Sequence, residues 1–120
     1  MYEVNRSLFA LVPLEPFWEW LQSLSDVDLS DITLFDLQQD VNSYLLPPCE
    51  DANDVWTQID ALCETVFAQE LADWCEDESL WPDLTPEVFQ EWFDIQISTV
   101  VTDLAPQELF RESFKPMSLN

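Results

Sequence analysis

The side chains in this sequence that could do chemistry are carboxylates, and Glu70 is the one whose position singles it out. On a helical wheel it falls inside the apolar stripe that runs through its helix, between Phe67 and Trp74 and one turn from Val66. A carboxylate in that position is desolvated, which favours its neutral form, and a neutral carboxyl near physiological pH is the environment of a general acid. A structural role fits the same residue. Glu70 would then accept hydrogen bonds from a Trp indole, a backbone amide or a basic side chain, or its turn of helix would simply be less buried. With no His in the chain, catalysis would need a second carboxylate, a Tyr or a Cys as partner, and Asp103 is a candidate.

A second constellation is Asp73, Glu76, Asp77, Glu78, Asp83 and Glu87, which surround Trp81-Pro82. It reads as a docking patch for a basic surface with Trp81 as an apolar anchor, since Trp is enriched at interface hot spots and complementary charge speeds encounter. The plainer reading is a solvated acidic loop whose Trp81 folds back into the core. Asp26-x-Asp28-x-Ser30 begins like a calcium loop, but Asp31 and Leu37 stand where that loop needs Gly and Glu. The carboxylate-bundle metal site uses Glu-x-x-His, which a chain without His cannot supply. No metal site and no cofactor are expected.

Composition narrows the function further. There are 25 Asp and Glu against three basic residues, Arg6, Arg111 and Lys115, for a net charge of −22 over 120 residues. That charge favours a basic protein partner and disfavours direct binding to nucleic acid or an anionic membrane. Gly is absent, so the P-loop, the dinucleotide-binding fingerprint and the nucleophile elbow are all missing. The chain is still expected to fold. It holds six Trp, eight Phe and two Tyr, and each buried aromatic removes about 150–250 Å² from water. Cys49, Cys63 and Cys75 match no zinc spacing and read as reduced thiols of a cytosolic protein. Cys63 and Cys75, if one helix carries both, are too far apart to bridge. No apolar run is long enough for a membrane span, and the short run Leu8–Val12 is a poor signal peptide.

The elements that must position these residues follow from periodicity. Leu8–Val12, closed by Pro13, reads as a buried strand. From Pro16 the spacing becomes helical, with Phe17, Trp20, Leu21 and Leu24 on one face and Trp18 off it. Thr33 and Asp36 form a variant capping box, so a short helix starts there. Residues 41–46 keep helical spacing but also suit a strand ending at Pro47-Pro48, and the strand is preferred. The clearest helix runs from about Asn53 to Trp74 on the stripe Trp56, Ile59, Cys63, Val66, Phe67 and Trp74. Thr85-Pro86 opens another, which carries Phe89, Trp92 and Phe93. The β-branched run 95–102 predicts a strand. The fold expected is α+β, a small sheet of about three strands with helices on one face, in one domain over 1–104 and a loosely ordered tail over 105–120. The alternative is an all-α bundle.

Several blocks carry a resemblance: Pro16-Phe17-x-x-x-Leu21, Tyr44-Leu45-Leu46-Pro47, Phe67-x-x-Glu70-Leu71-x-x-Trp74, Asp77-Glu78-Ser79-Leu80-Trp81-Pro82 and Phe89-x-x-Trp92-Phe93-Asp94. In this pattern the chain resembles a family of short, acidic, uncharacterised bacterial proteins, over most of residues 8–104. The resemblance implies a bacterial, cytoplasmic protein and brings no activity with it.

Three functions remain open on the sequence. The first is an interaction module that offers carboxylates to a basic protein, as a nucleic-acid mimic or inhibitor does. Pairs such as Asp60 and Glu64, one helical turn apart, would space charge as a phosphate backbone does. The second is a small ligand-binding protein or enzyme built on Glu70. The third is an acidity suited to a saline interior, with no bearing on partners. All three share one consequence. A chain this acidic repels itself when compact, and salt screens that repulsion over about 8 Å at 0.15 M. The melting temperature should therefore be higher in about 500 mM salt than in about 10 mM. An equal or lower value in high salt would remove self-repulsion as a limit on stability.

Overall fold

The computed structural model describes residues 1–113. The order of elements is β1 (Tyr2–Val4), β2 (Ser7–Pro13), α1 (Glu15–Ser23), α2 (Leu34–Gln39), β3 (Asn42–Leu46), α3 (Ala52–Ala72), a single 3₁₀ turn (Glu78–Leu80), α4 (Pro86–Trp92), β4 (Phe93–Ser98) and β5 (Val101–Asp103). The fold is α+β. Its sheet is antiparallel in the order β3-β2-β4, and β1 pairs separately with β5.

The central strand β2 alternates buried and half-buried residues along its length. Ser7, Phe9, Leu11 and Pro13 face the helices, and Leu8, Ala10 and Val12 face outward. Register fixes the same division on the neighbours. Phe9 stands between Tyr44 and Ile97, and Leu11 between Asn42 and Ile95. The helical side of the sheet therefore carries Tyr44, Asn42, Ile95 and Ile97 beside the buried residues of β2.

The helices begin where local chemistry starts them. Asp51 caps α3 by accepting from the Asp54 N–H, Thr85 caps α4 through the Val88 N–H, and Thr33 and Asp36 complete the expected capping box on α2. α1 has no side-chain cap. Instead the backbone N–H of Leu14, just ahead of it, donates to the Trp92 carbonyl at the end of α4, 2.9 Å away, which ties the two helices together. Val55, Ile59, Cys63, Val66, Phe67 and Leu71 form the buried stripe of α3. Their aliphatic and aromatic side chains meet Phe17, Trp20 and Leu21 of α1, Phe89 of α4 and Phe93 of β4 in one core.

Three expectations need correction, and one element is new. The strand expected over 95–102 is two strands, separated at Thr99-Val100, and it begins earlier, at Phe93. Phe93 is accordingly a strand residue and not part of the helix that carries Phe89 and Trp92: α4 passes into β4 with no loop, and the aromatic run continues from helix to strand. The pairing of β1 with β5 had no counterpart in the sequence reading, because a three-residue strand shows too little alternation to be read. Finally, α3 ends at Ala72, so one helix does not carry both Cys63 and Cys75, although all three cysteines are free thiols. Residues 104–113 carry no helix or strand and are exposed, and 114–120 of the expected tail lie outside the described residues.

The two β ladders are offset by one residue. Val4 pairs with Val101 and Leu8 with Ser98, so three residues on one side face two on the other. Ser7 sits at this offset with no exposure to solvent. Its hydroxyl donates to the Thr99 carbonyl at 3.0 Å and accepts from the Cys49 N–H at 2.8 Å. Ser7→Ala would leave the Cys49 amide without its partner. We expect a loss of about 1–3 kcal/mol, read from the urea midpoint. A variant as stable as the parent would mean that water replaces the hydroxyl.

Candidate functional site

All the aspartates and glutamates are exposed except Glu70, which is 7% exposed, and Asp103, which is half-buried. Glu70 lies one turn beyond Phe67 on α3, so the contact that seats Phe67 in the core also turns Glu70 towards the sheet. There it meets β3. The Asn42 side-chain amide donates to Glu70 Oε2 at 2.7 Å, and the Tyr44 phenol lies near enough to the same carboxylate to act on it electrostatically. Asn42 and Tyr44 alternate on one face of β3, and the Tyr44 ring stacks on Phe9 with centroids 5.2 Å apart.

Burial dominates the electrostatics of this group. It pushes the Glu70 carboxyl above its ordinary value of 4.5, while the hydrogen bond from Asn42 pulls the other way and the like charge of Asp73 adds to the rise. Tyr44 is pushed up as well, by burial first and then by Glu70 and Asp73, so its phenol keeps its proton. Among the described residues the formal charge acting on Glu70 is thus one of the same sign. The partners it does have are neutral. Glu70 is thus buried, not on a less buried turn, and its hydrogen-bond donor is the Asn42 side-chain amide from another element, not a Trp indole, a backbone amide or a basic side chain.

Glu70 borders a cleft of about 240 Å³ between α3, the end of α2 and the sheet. Leu11, Phe17 and Phe93 are its buried apolar lining, with Leu37 and Trp74 half-buried beside them. Asp40 and Asp73, both exposed, complete the polar side with Asn42. Asp103 does not join it: it pairs with Tyr2 across the β1–β5 ribbon, and its carboxylate accepts from the Ala105 N–H. The proposed pairing of Glu70 with Asp103 in one cleft is therefore not formed. Among the described residues, no three of the Cys, Asp and Glu side chains are grouped to hold a metal ion.

The acidic loop is ordered from both ends by indoles. Trp81 Nε1 donates to the Cys75 carbonyl at 2.8 Å, and Trp20 Nε1 reaches out from α1 to the Leu80 carbonyl at 2.8 Å. Trp81 is half-buried and packs against the core, while its neighbour Leu80 is 52% exposed. Asp73, Glu76, Asp77, Glu78, Asp83 and Glu87 are all exposed. Asp77 turns part of its carboxylate onto Ser79, accepting from the backbone N–H at 3.0 Å and the hydroxyl at 2.6 Å, which holds its pKa below the usual aspartate value. In the stretch that only begins like a calcium loop, Asp28 has a similar local use and accepts from the Ser30 N–H at 3.0 Å.

Asn42 and Tyr44 were not singled out by their sequence. Their signal was available in the alternation Asn42-x-Tyr44-x-Leu46, which on a strand puts all three on one face, but the approach of that face to Glu70 depends on packing between distant segments. No family model matches the chain, and no curated protein and no solved structure matches it.

The raised pKa of Glu70 has a definite consequence for stability. Below 4.5 the carboxyl is protonated whether the chain is folded or unfolded. Between that value and its raised folded value, the folded chain holds a proton that the unfolded chain has released, so stability falls as pH rises. Above the folded value the loss is complete. Glu70→Gln keeps a neutral side chain of similar shape and should melt higher than the parent at neutral pH, with the difference shrinking as pH falls below the ordinary glutamate range. A constant difference across pH would show that Glu70 titrates as an exposed carboxylate does.

Proposed function

We propose that this protein is an interaction module that presents a carboxylate surface to a basic protein partner, in the manner of a nucleic-acid mimic or an inhibitor. The observation that carries this reading is the distribution of charge: with Glu70 and Asp103 excepted, every carboxylate of a chain with net charge −22 is exposed. Such a surface steers a cationic partner and raises its association rate. A cytoplasmic, bacterial setting belongs to the same proposal, and the free thiols of Cys49, Cys63 and Cys75 support it.

The loop around Trp81 is the favoured contact. Its carboxylates sit on backbone already held by the two indole hydrogen bonds, so little ordering remains to oppose binding. Leu80 and the outer part of Trp81 supply apolar surface among those charges. A second reading, a small ligand-binding protein or enzyme, draws its support from the buried Glu70 with Asn42 beside it at the cleft.

Immobilised protein should retain basic proteins at low salt and release them along a salt gradient. Neutralising Asp77, Glu78 and Asp83 together should lower the association rate with a recovered partner and flatten its dependence on ionic strength, because charge acts mainly on encounter. Leu80→Ala should act on the dissociation rate instead. Binding that ignores salt, or a triple variant with the parent's association rate, would rule out this loop as the docking surface.

A further inference from the structure

We propose that the cleft beside Glu70 receives an arginine side chain of the basic partner, with the guanidinium placed between Glu70, Asp40 and Asp73 and the aliphatic stem against Phe17, Phe93 and Leu37. This rests on the reading of the protein as a carboxylate module and names the chemistry of one contact within it.

Three observations converge on that occupant. The first is an uncompensated buried carboxylate. Buried charges in proteins are ordinarily paired, and among the described residues the Glu70 carboxylate has a hydrogen bond only from the neutral Asn42 amide, with the neutral Tyr44 phenol nearby and Asp73 adding charge of its own sign. A cation in the cleft supplies the missing partner. The second is shape. At about 240 Å³ the cleft is smaller than the ~300–1,000 Å³ typical of sites for drug-sized ligands. That suits one long side chain. The third is the arrangement of its walls. The carboxylates do not gather around a point as metal ligands do. They are spread beside apolar and aromatic surface that includes half-buried Trp74, which suits a planar, delocalised cation on an apolar stem. Guanidinium also stacks on aromatic faces and is less strongly hydrated than ammonium, so it enters a partly buried site at lower cost.

The groups facing the cation are Glu70 and Asp73 from α3 and its end, Asp40 from the end of α2, and Asn42 from β3, with the Tyr44 phenol near Glu70 but outside the cleft lining. Where Glu70 holds its proton, entry of the guanidinium would release that proton to solvent, and uptake would then strengthen as pH rises.

The probe is N-acetyl-arginine amide, added at constant ionic strength and followed by nuclear magnetic resonance of the Asn42 side-chain amide and the Trp74 indole. The parent should show saturable shifts at both groups. Glu70→Gln, with its fold checked by amide dispersion, should weaken binding roughly thirtyfold or more, in line with removal of one partner from a buried charge pair. Asp83→Asn, in the Trp81 loop, should bind as the parent does. N-acetyl-lysine amide should bind more weakly than the arginine probe. Shifts that do not saturate, equal binding by Glu70→Gln, or perturbations confined to the Trp81 loop would each overturn the cleft as an arginine site. In the last case the carboxylate-surface reading would stand without it. Salt-independent binding of the basic partner would instead remove that reading, whatever the cleft does.

Discussion

The aromatic cluster around Phe67 is the contact on which the rest of the structure depends. Phe67 is fully buried, with ring centroids 5.2 Å from Phe89, 5.6 Å from Trp92 and 5.9 Å from Phe93. Phe17 meets Phe93 at 5.2 Å and Trp20 at 5.8 Å on the far side. One helix is thereby fixed against the end of another, the start of a strand and the first helix of the chain. Offset and edge-to-face pairs of this kind add to the area they bury and favour particular orientations, so they constrain geometry as well as stability. Once Phe67 is seated, the rotation of α3 is set. Glu70, one turn further on, must then face β3.

The same cluster explains how so acidic a chain folds. Electrostatic repulsion acts at the surface, where solvent and salt weaken it. Aromatic and aliphatic burial acts inside and is indifferent to net charge. The two are separated in space almost completely, since the carboxylates lie on the outside and the core is built from Phe, Trp, Leu, Val and Ile. Several carboxylates also have local structural uses. Asp51 caps α3, Asp36 closes the box with Thr33, and Asp77 holds Ser79 at the 3₁₀ turn. Acidic groups at helix starts are favoured by the helix dipole, so part of the charge stabilises the elements that carry it.

Absence of Gly shapes the connections. No residue among those described adopts positive φ. Turns must therefore be made with ordinary backbone angles, and the chain uses Asp side chains and Trp indoles to hold its loops in place. The direct passage from Trp92 in α4 to Phe93 in β4 is another outcome of the same economy of turns. It places consecutive aromatics on a helix end and a strand start, and both enter one cluster with Phe67.

Much of this was determined by sequence alone, because the interactions concerned are local. The apolar run closed by Pro13 specified β2, the 3.6-residue stripe specified α3, Thr85-Pro86 specified the start of α4, and the stripe position of Glu70 specified its burial. Residues 41–46 could be read either way, with the strand preferred, since so short a run satisfies helical and alternating patterns alike, and pairing of Asn42–Leu46 with β2 decided for the strand. Only the tertiary structure decided which partners the Glu70 carboxylate would find. Asn42 lies 28 residues away in the sequence, and its approach depends on how α3 packs over a sheet whose register is set by other strands. Only packing, too, separated Asp103 from Glu70 and split the β-branched run into β4 and β5. Periodicity reports which face of an element is buried. It carries no information on which distant face will lie against it.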